Sequence, residues 1–358
     1  MVLPTWSWKS LVIANIAMRL PGNTIILQPS KEILEQNFWK IRAYWMQDCA
    51  IFSASLWSKQ VAKLTFATIG SIISKQDLFS HFHNIIVDEC HLVNHEGWQY
   101  KEFIEKVWCK VLWLTATPYR LKQYMTWSML RFLTRTRNSI FQEVIHYTQI
   151  QEIAQQWFLA PMKYYVIKAI DTSRLVTNST GLDYTDRSMR NHFDEIHLKE
   201  KIVEIAQRLL VSGRKHILIF TKFVEDAKIV SELLTMNGLQ SAYVSGETLK
   251  KDREKILDDF KTWKIECVAN VWVLTTGFDF PELDAIIMAR PTKSLALYYQ
   301  MVGRWMRPHK DKQDCWVVDM SETKSRFGEV SELRLEDQGR WKRVIRAWHR
   351  ILTNTFMK

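Results

Sequence analysis

Two adjacent acids at the end of an apolar run are the residues of this sequence best placed to do chemistry. Ile85-Ile86-Val87 leads into Asp88-Glu89-Cys90-His91. A run of this length, bounded by polar residues, reads as a buried parallel strand, so its acids emerge at the carboxyl end, where open α/β sheets bind ligands. Beside a nucleoside triphosphate, Asp88 can hold Mg²⁺ through water, and Glu89 can orient or deprotonate the attacking water. Alone, the tetrapeptide fits a solvated acidic strand end equally well.

Two basic groups flank this centre in the sequence. Lys9-Ser10 opens the apolar segment Leu11-Val12-Ile13-Ala14. At a helix start, such a pair is the tail of a phosphate-binding loop, in which Lys reaches the β- and γ-phosphates and the Ser hydroxyl ligates Mg²⁺. The residue before that Lys is normally Gly, because backbone N–H groups must close on the phosphates unobstructed; here it is Trp8. Far downstream, Arg304 and Arg307 follow Gln300 at a helix end, three residues apart and on one side. Two guanidiniums aimed together suit a triphosphate, whereas the bland alternative is a solvated basic face.

The elements that must position these groups alternate. Strands are expected at 24–27, 64–69, 85–88 and 111–114, with helices between them, which predicts a parallel, doubly wound sheet over 1–148. From 149 to 195 the pattern loosens, and the polar stretch Thr172 to Asp186 reads as a linker or insertion. A second α/β set follows over 196–320, with strands near 216–220, 242–244, 267–270, 285–288 and 315–318. Its first two helices should stop at Gly213 and Gly238. The tail, 321–358, is charged and weakly periodic and reads as a solvated helix carrying Arg340, Lys342, Arg343, Arg346 and Arg350.

The 358 residues suffice for two domains with full cores, and a formal net charge of +11 favours a polyanionic partner such as nucleic acid. Cys49, Cys90, Cys109, Cys267 and Cys315 form no Cys-x-x-Cys pair, which argues against a zinc site and a disulfide framework and fits a reducing cytosol. No apolar run is long enough to span a bilayer, so a soluble protein with no membrane partner is expected.

With these motifs in order, the chain resembles the superfamily 2 helicases of the DEAD/DEAH-box type over roughly 1–320. Pro4 to Ser10 is similar to the phosphate loop, Gln28-Pro29-Ser30 to the first nucleic-acid motif, and Asp88 to His91 to the Mg²⁺ and water box. Thr115-Ala116-Thr117-Pro118 resembles the coupling motif, Ile219-Phe220-Thr221 a backbone-contacting motif, Thr275 to Asp279 the motif bridging ATP and nucleic acid, and Gln300 to Arg307 the arginine-finger motif.

The resemblance implies two tandem RecA-like domains of the P-loop NTPase fold, with ATP and Mg²⁺ as cofactors. It assigns Thr5, Lys9, Ser10, Gly277 and Asp279 to the nucleotide, Ser10 and Asp88 to the metal, and Lys9, Asp88, Glu89, Gln300, Arg304 and Arg307 to catalysis. Gln28, Pro29, Ser30, Thr68, Gly70, Thr221, Thr275 and Thr276 would contact DNA or RNA, and His91, Thr115 and Thr117 would couple hydrolysis to movement. DNA is favoured over RNA, in a monomer or a component of a larger complex. The double-strand translocase subunit of a restriction-type system is the alternative within this fold. Because the sequence opens on the phosphate loop, elements that supply adenine contacts in the family are expected to precede it.

Composition sets a further problem. There are 16 Trp and 11 Gly, whereas Gly at about 7% would give roughly 25 residues. Trp6, Trp8, Trp113, Trp263, Trp272 and Trp305 stand where the family has Gly. A source that reads UGA as Gly, translated on paper with UGA as Trp, would produce this substitution. If the tryptophans are real, an ATP-dead nucleic-acid-binding scaffold is the reading from a different class.

Overall fold

Short β-branched and aromatic runs build two parallel sheets, each in its own compact unit of the chain. The computed structural model describes residues 1–4, 7–44, 48–93, 98–124, 127–136, 139–275, 280–339 and 342–357. The first unit comprises Met1–Arg120 and Arg131–Gln149; the second comprises Leu121–Leu130, Ile150–Gln338 and the chain from Lys342 onward.

The first unit holds α1 (Lys9–Arg19), β1 (Asn23–Leu27), α2 (Lys31–Tyr44), β2 (Cys49–Ser53), β3 (Ser58–Lys59), β4 (Leu64–Ala67), α3 (Ile69–Ile72), β5 (Phe82–Val87), α4 (Trp98–Val107) and β6 (Lys110–Trp113). The sheet order is β3-β2-β4-β1-β5-β6, parallel except for the β2–β3 hairpin. Alternation along the strands gives the sheet two apolar faces: Ile25, Leu27, Ile85 and Val87 pack on one side, Ile26, Phe66 and Ile86 on the other. β1 and β5 lie side by side with Leu27 opposite Val87, so the loops after both strands open at the same sheet edge. Next come β7 (Tyr119–Tyr124) and β8 (Trp127–Phe132), paired strands absent from the sequence expectation.

The second unit contains α5 (Ile150–Gln155), β9 (Met162–Val166), α6 (Asp186–Glu195), α7 (Leu198–Val211), β10 (Ile217–Phe220), α8 (Val224–Met236), β11 (Ser241–Val244), α9 (Lys250–Lys261), β12 (Cys267–Asn270), β13 (Ala285–Met288), α10 (Leu295–Gly303), β14 (Cys315–Asp319) and α11 (Thr323–Phe327). Its sheet runs β11-β12-β10-β13-β14-β9, with all pairings parallel. Residues 149–195, read from sequence as linker or insertion, are folded. β9 is the edge strand beside β14, and Leu175, Tyr184, Met189 and Phe193 enter the core of this unit.

Beyond α11, the tail departs from the expected helix. Residues 334–357 form β15 (Arg334–Asp337), β16 (Arg343–Ala347), β17 (Arg350–Ile351) and β18 (Phe356–Met357). Val344 and Ile345 favour an extended chain, and the cations pair across strands: Arg346 Nε donates to Glu336 at 2.9 Å, and Arg343 lies 3.2 Å from Asp337. Arg340 is outside the described residues. No helix among those described is long and apolar enough to cross a membrane.

Candidate functional site

At the carboxyl edge of β1 and β5, five polar side chains converge from three separate stretches of the sequence. The Lys9 ammonium, at the start of α1, pairs with Glu89 Oε1 and stands 3.8 Å from Asp88 Oδ1. The Ser10 hydroxyl donates to Asn37 Oδ1 at 2.7 Å, and the Asn37 amide in turn reaches Asp88 Oδ2 at 3.5 Å. Asn37, on α2 and only 6% exposed, thus links the two groups expected to hold Mg²⁺. Sequence reasoning missed it, because an Asn inside an amphipathic helix carries no signal until the register of α2 against β5 is known. A hydroxyl beside a carboxylate is a hard oxygen set of the kind Mg²⁺ takes, with phosphate and water completing its shell.

Glu89 sits in the left-handed region, at φ 47°, where a side-chain-bearing residue is strained. Its backbone N–H donates to Asp88 Oδ1 at 2.8 Å, which fixes the turn between the acids. Just beyond lies a tight helical turn, Cys90–Leu92, whose carbonyls are gripped from β7. The Arg120 guanidinium donates to the carbonyls of Cys90, His91 and Val93. Burial lowers the pKa of Arg120 and pushes the Cys90 thiol up to about 12, so Cys90 acts as a small apolar side chain here. Arg120 is a second residue that sequence reading passed over.

The predicted coupling residues meet. His91 Nδ1 lies 2.9 Å from Thr115 Oγ1 and 3.4 Å from Glu89 Oε2, and the Thr117 N–H donates to Thr115 Oγ1 at 3.0 Å. A continuous polar chain therefore runs from Lys9 through Glu89 and His91 to the loop after β6.

Other assignments fare differently. Pro29, Ser30 and Thr68 are half-buried and Gly70 is exposed, all accessible at this sheet edge. Gln28 is 1% exposed, and its side-chain amide has no hydrogen-bond partner among the described residues. In the second unit, Thr221 is also buried, its hydroxyl donating to the Phe223 carbonyl at 3.3 Å. Asn270 Oδ1 accepts from the Leu274 N–H at 2.9 Å and pins the turn that leads to Thr275. Gln300 on α10 and Arg307 just beyond it are half-buried. Thr5, Trp6, Thr276, Gly277 and Asp279 lie outside the described residues, as do the side chains of Thr275 and Arg304.

Residues 1–120 match the family described as type III restriction enzyme, res subunit, and residues 200–309 match the helicase conserved C-terminal domain. Among curated proteins, the chain is 25% identical over 327 residues to a 51.5 kDa protein of a Lactococcus phage, covering 88% of this chain and 64% of that one. It is 26% identical over 186 residues to a Saccharomyces cerevisiae protein named as an ATP-dependent helicase, IRC3, covering 52% of this chain and 27% of the yeast protein. The chain thus spans less than two thirds of either relative. A solved fragment described as an HsdR subunit of a type I restriction enzyme from Vibrio vulnificus YJ016 superposes with a TM-score of 0.65 at 19% identity. It covers 92% of this chain and 61% of that one and shares the fold.

Proposed function

The chain belongs to the superfamily 2 helicases with two RecA-like domains, and from that premise we propose that it couples ATP hydrolysis to movement along nucleic acid. The observation that carries this reading is the polar convergence in the first unit. Lys9 and Ser10 meet Asp88 and Glu89 at one sheet edge, with Asn37 joining the hydroxyl to the first acid.

In this reading Lys9 and Ser10, with Thr5, hold the phosphates of ATP, and Ser10 with Asp88 holds Mg²⁺. When bound there, Mg²⁺ would supply positive charge that offsets the charge of the phosphates. The ammonium of Lys9 must exchange its Glu89 partner for phosphate oxygens, which frees the Glu89 carboxylate to take a proton from water. His91, Thr115 and Thr117 relay the change of partner away from Glu89. The resemblance assigns Gln300, Arg304, Arg307, Gly277 and Asp279 of the second unit to ATP. Gln28, Pro29, Ser30, Thr68, Gly70, Thr221, Thr275 and Thr276 are assigned to the nucleic-acid backbone, with DNA favoured over RNA. Contacts of that kind carry little sequence information and weaken with salt.

A double-strand translocase of a restriction-type system is a second reading, favoured by the res-subunit match and the HsdR likeness. Displacement of a third strand without separation of a duplex supports this second reading, and duplex separation supports the first. Absence of nucleic-acid-stimulated ATP hydrolysis by a chain carrying Gly at positions 6 and 8 overturns both.

A further inference from the structure

Backbone geometry, independently of any functional reading, singles out a set of tryptophans. Among the described residues, Trp8, Trp57, Trp108, Trp157, Trp263, Trp272 and Trp348 all have φ between 48° and 67°. This is the left-handed region, where Cβ crowds the following carbonyl and which Gly alone enters freely. Only four other side-chain-bearing residues among those described share it: Glu89, His197, Glu322 and Asn354. The described glycines there are Gly22, Gly181, Gly213, Gly238, Gly328 and Gly339. Among the described residues, tryptophan therefore follows the conformational habit of glycine as no other residue type does.

The local structures at these positions are ones that select for glycine. Trp108, Trp157 and Trp263 follow helix ends: the Trp108 N–H donates to Ile104 at 2.9 Å and the Trp157 N–H to Ala154 at 3.0 Å, while Trp263 comes just after the C-cap Thr262. Trp57 closes a short helical turn, and Trp348 is the first residue of the two-residue link between β16 and β17. Trp8 precedes Lys9 in the phosphate loop with φ 55° and ψ 41°.

Packing does not explain the indoles. Trp57 is 96% exposed, Trp108 90% and Trp157 82%, so little surface is removed from water in exchange for the backbone conformation. Trp263 rests against His216 at 4.2 Å between ring centroids, and Trp272 lies 3.5 Å from the Arg290 guanidinium, yet both indoles stay more than half exposed. By contrast, Trp113 packs on Phe141 and Trp305 is 1% exposed, both without left-handed backbone, so geometry makes no demand for Gly at those two sites singled out from the sequence.

We propose that glycine stands at positions 8, 57, 108, 157, 263, 272 and 348 of the protein as its source makes it, each encoded by a UGA codon that the source reads as glycine. Positions 57, 108, 157 and 348 have no counterpart in the motif comparison, so they extend the assignment beyond the family's glycines. Two consequences reach the sites. Position 8 becomes a bare stretch of backbone beside Lys9, open to phosphate oxygens. Position 272 uncovers Arg290, a 2% exposed cation whose Nε has no partner among the described residues.

The test is the gene together with the mass of peptides from the protein isolated from its own source. UGA at all seven positions and peptides of glycine mass are expected; UGG, or peptides of tryptophan mass, overturns the proposal. A second measurement needs no source material. Recombinant chains carrying W57G, W108G and W157G together should unfold at higher denaturant than the tryptophan chain, and an unchanged or lower midpoint overturns the claim that the backbone demands glycine. Neither readout involves ATP, so failure of the helicase reading would show separately, as a chain with glycine at position 8 that does not hydrolyse it.

Discussion

Three helices of the second unit end alike and are sealed by different residues. After α7 comes Ser212 at φ −75° and ψ 6°, then Gly213 at φ 84°. After α8 comes Asn237 at −88° and 15°, then Gly238 at 82°. After α9 comes Thr262 at −96° and 17°, then Trp263 at 67°. Each end is closed by the same hydrogen bond reaching back five residues: Arg214 to Leu209 at 3.0 Å, Leu239 to Leu234 at 3.0 Å, and Lys264 to Asp259 at 2.9 Å. α5 ends in this way around Trp157, with Phe158 donating to Ile153 at 3.2 Å. The carbonyls left over at a helix end must be satisfied, and a left-handed residue satisfies them whatever its side chain. The backbone requirement is thus constant while the residue varies, and the phosphate loop poses the same requirement at position 8.

The comparison is sharpened most by activity in paired backgrounds. In a chain carrying Trp8→Gly, Arg307→Ala should slow ATP hydrolysis by about 10³ to 10⁵. In the Trp8 chain the same change should do nothing, because there is no turnover to lose; a similar loss in both would break the parallel. Glu89→Gln in the Trp8→Gly background should cost about 10² to 10⁴, read as steady-state phosphate release at saturating ATP. Asn37→Ala should cost about 10- to 100-fold in Mg²⁺ requirement, through loss of the bridge between Ser10 and Asp88. A magnesium titration that is unchanged would remove Asn37 from the site.

Smaller still is the direct exchange of helix-closing residues. Trp157→Gly should stabilise the chain by about 1 to 2 kcal/mol, and Gly213→Trp should destabilise it by about as much. Equal denaturation midpoints for both variants and the parent would dissolve the equivalence of the two kinds of helix end.

How much of this was legible in the sequence follows from where each signal resides. The strand ending in Asp88-Glu89, the helix behind Lys9-Ser10 and the stops at Gly213 and Gly238 are local patterns, and the structure contains them. Asn37 and Arg120 act through long-range contacts, to Asp88 and to the Cys90–Val93 carbonyls, and leave no local mark. The tail misled because its cations recur at helical spacing, whereas their acidic partners lie on a neighbouring strand that periodicity does not register. Residues 149–195 look like a linker because β9 is a half-exposed edge strand that joins its sheet only through β14, some 150 residues later. Trp108 and Trp157 at helix ends left no mark, because no motif covers them and φ is not written in the sequence.

The most direct test is nucleic-acid-stimulated ATP hydrolysis by two chains identical except at position 8. Turnover should rise on adding DNA or RNA when Gly stands there, and be little or none when Trp does. Equal rates in both chains, or a Trp8→Gly chain that stays silent with nucleic acid, ATP and Mg²⁺ present, would contradict it.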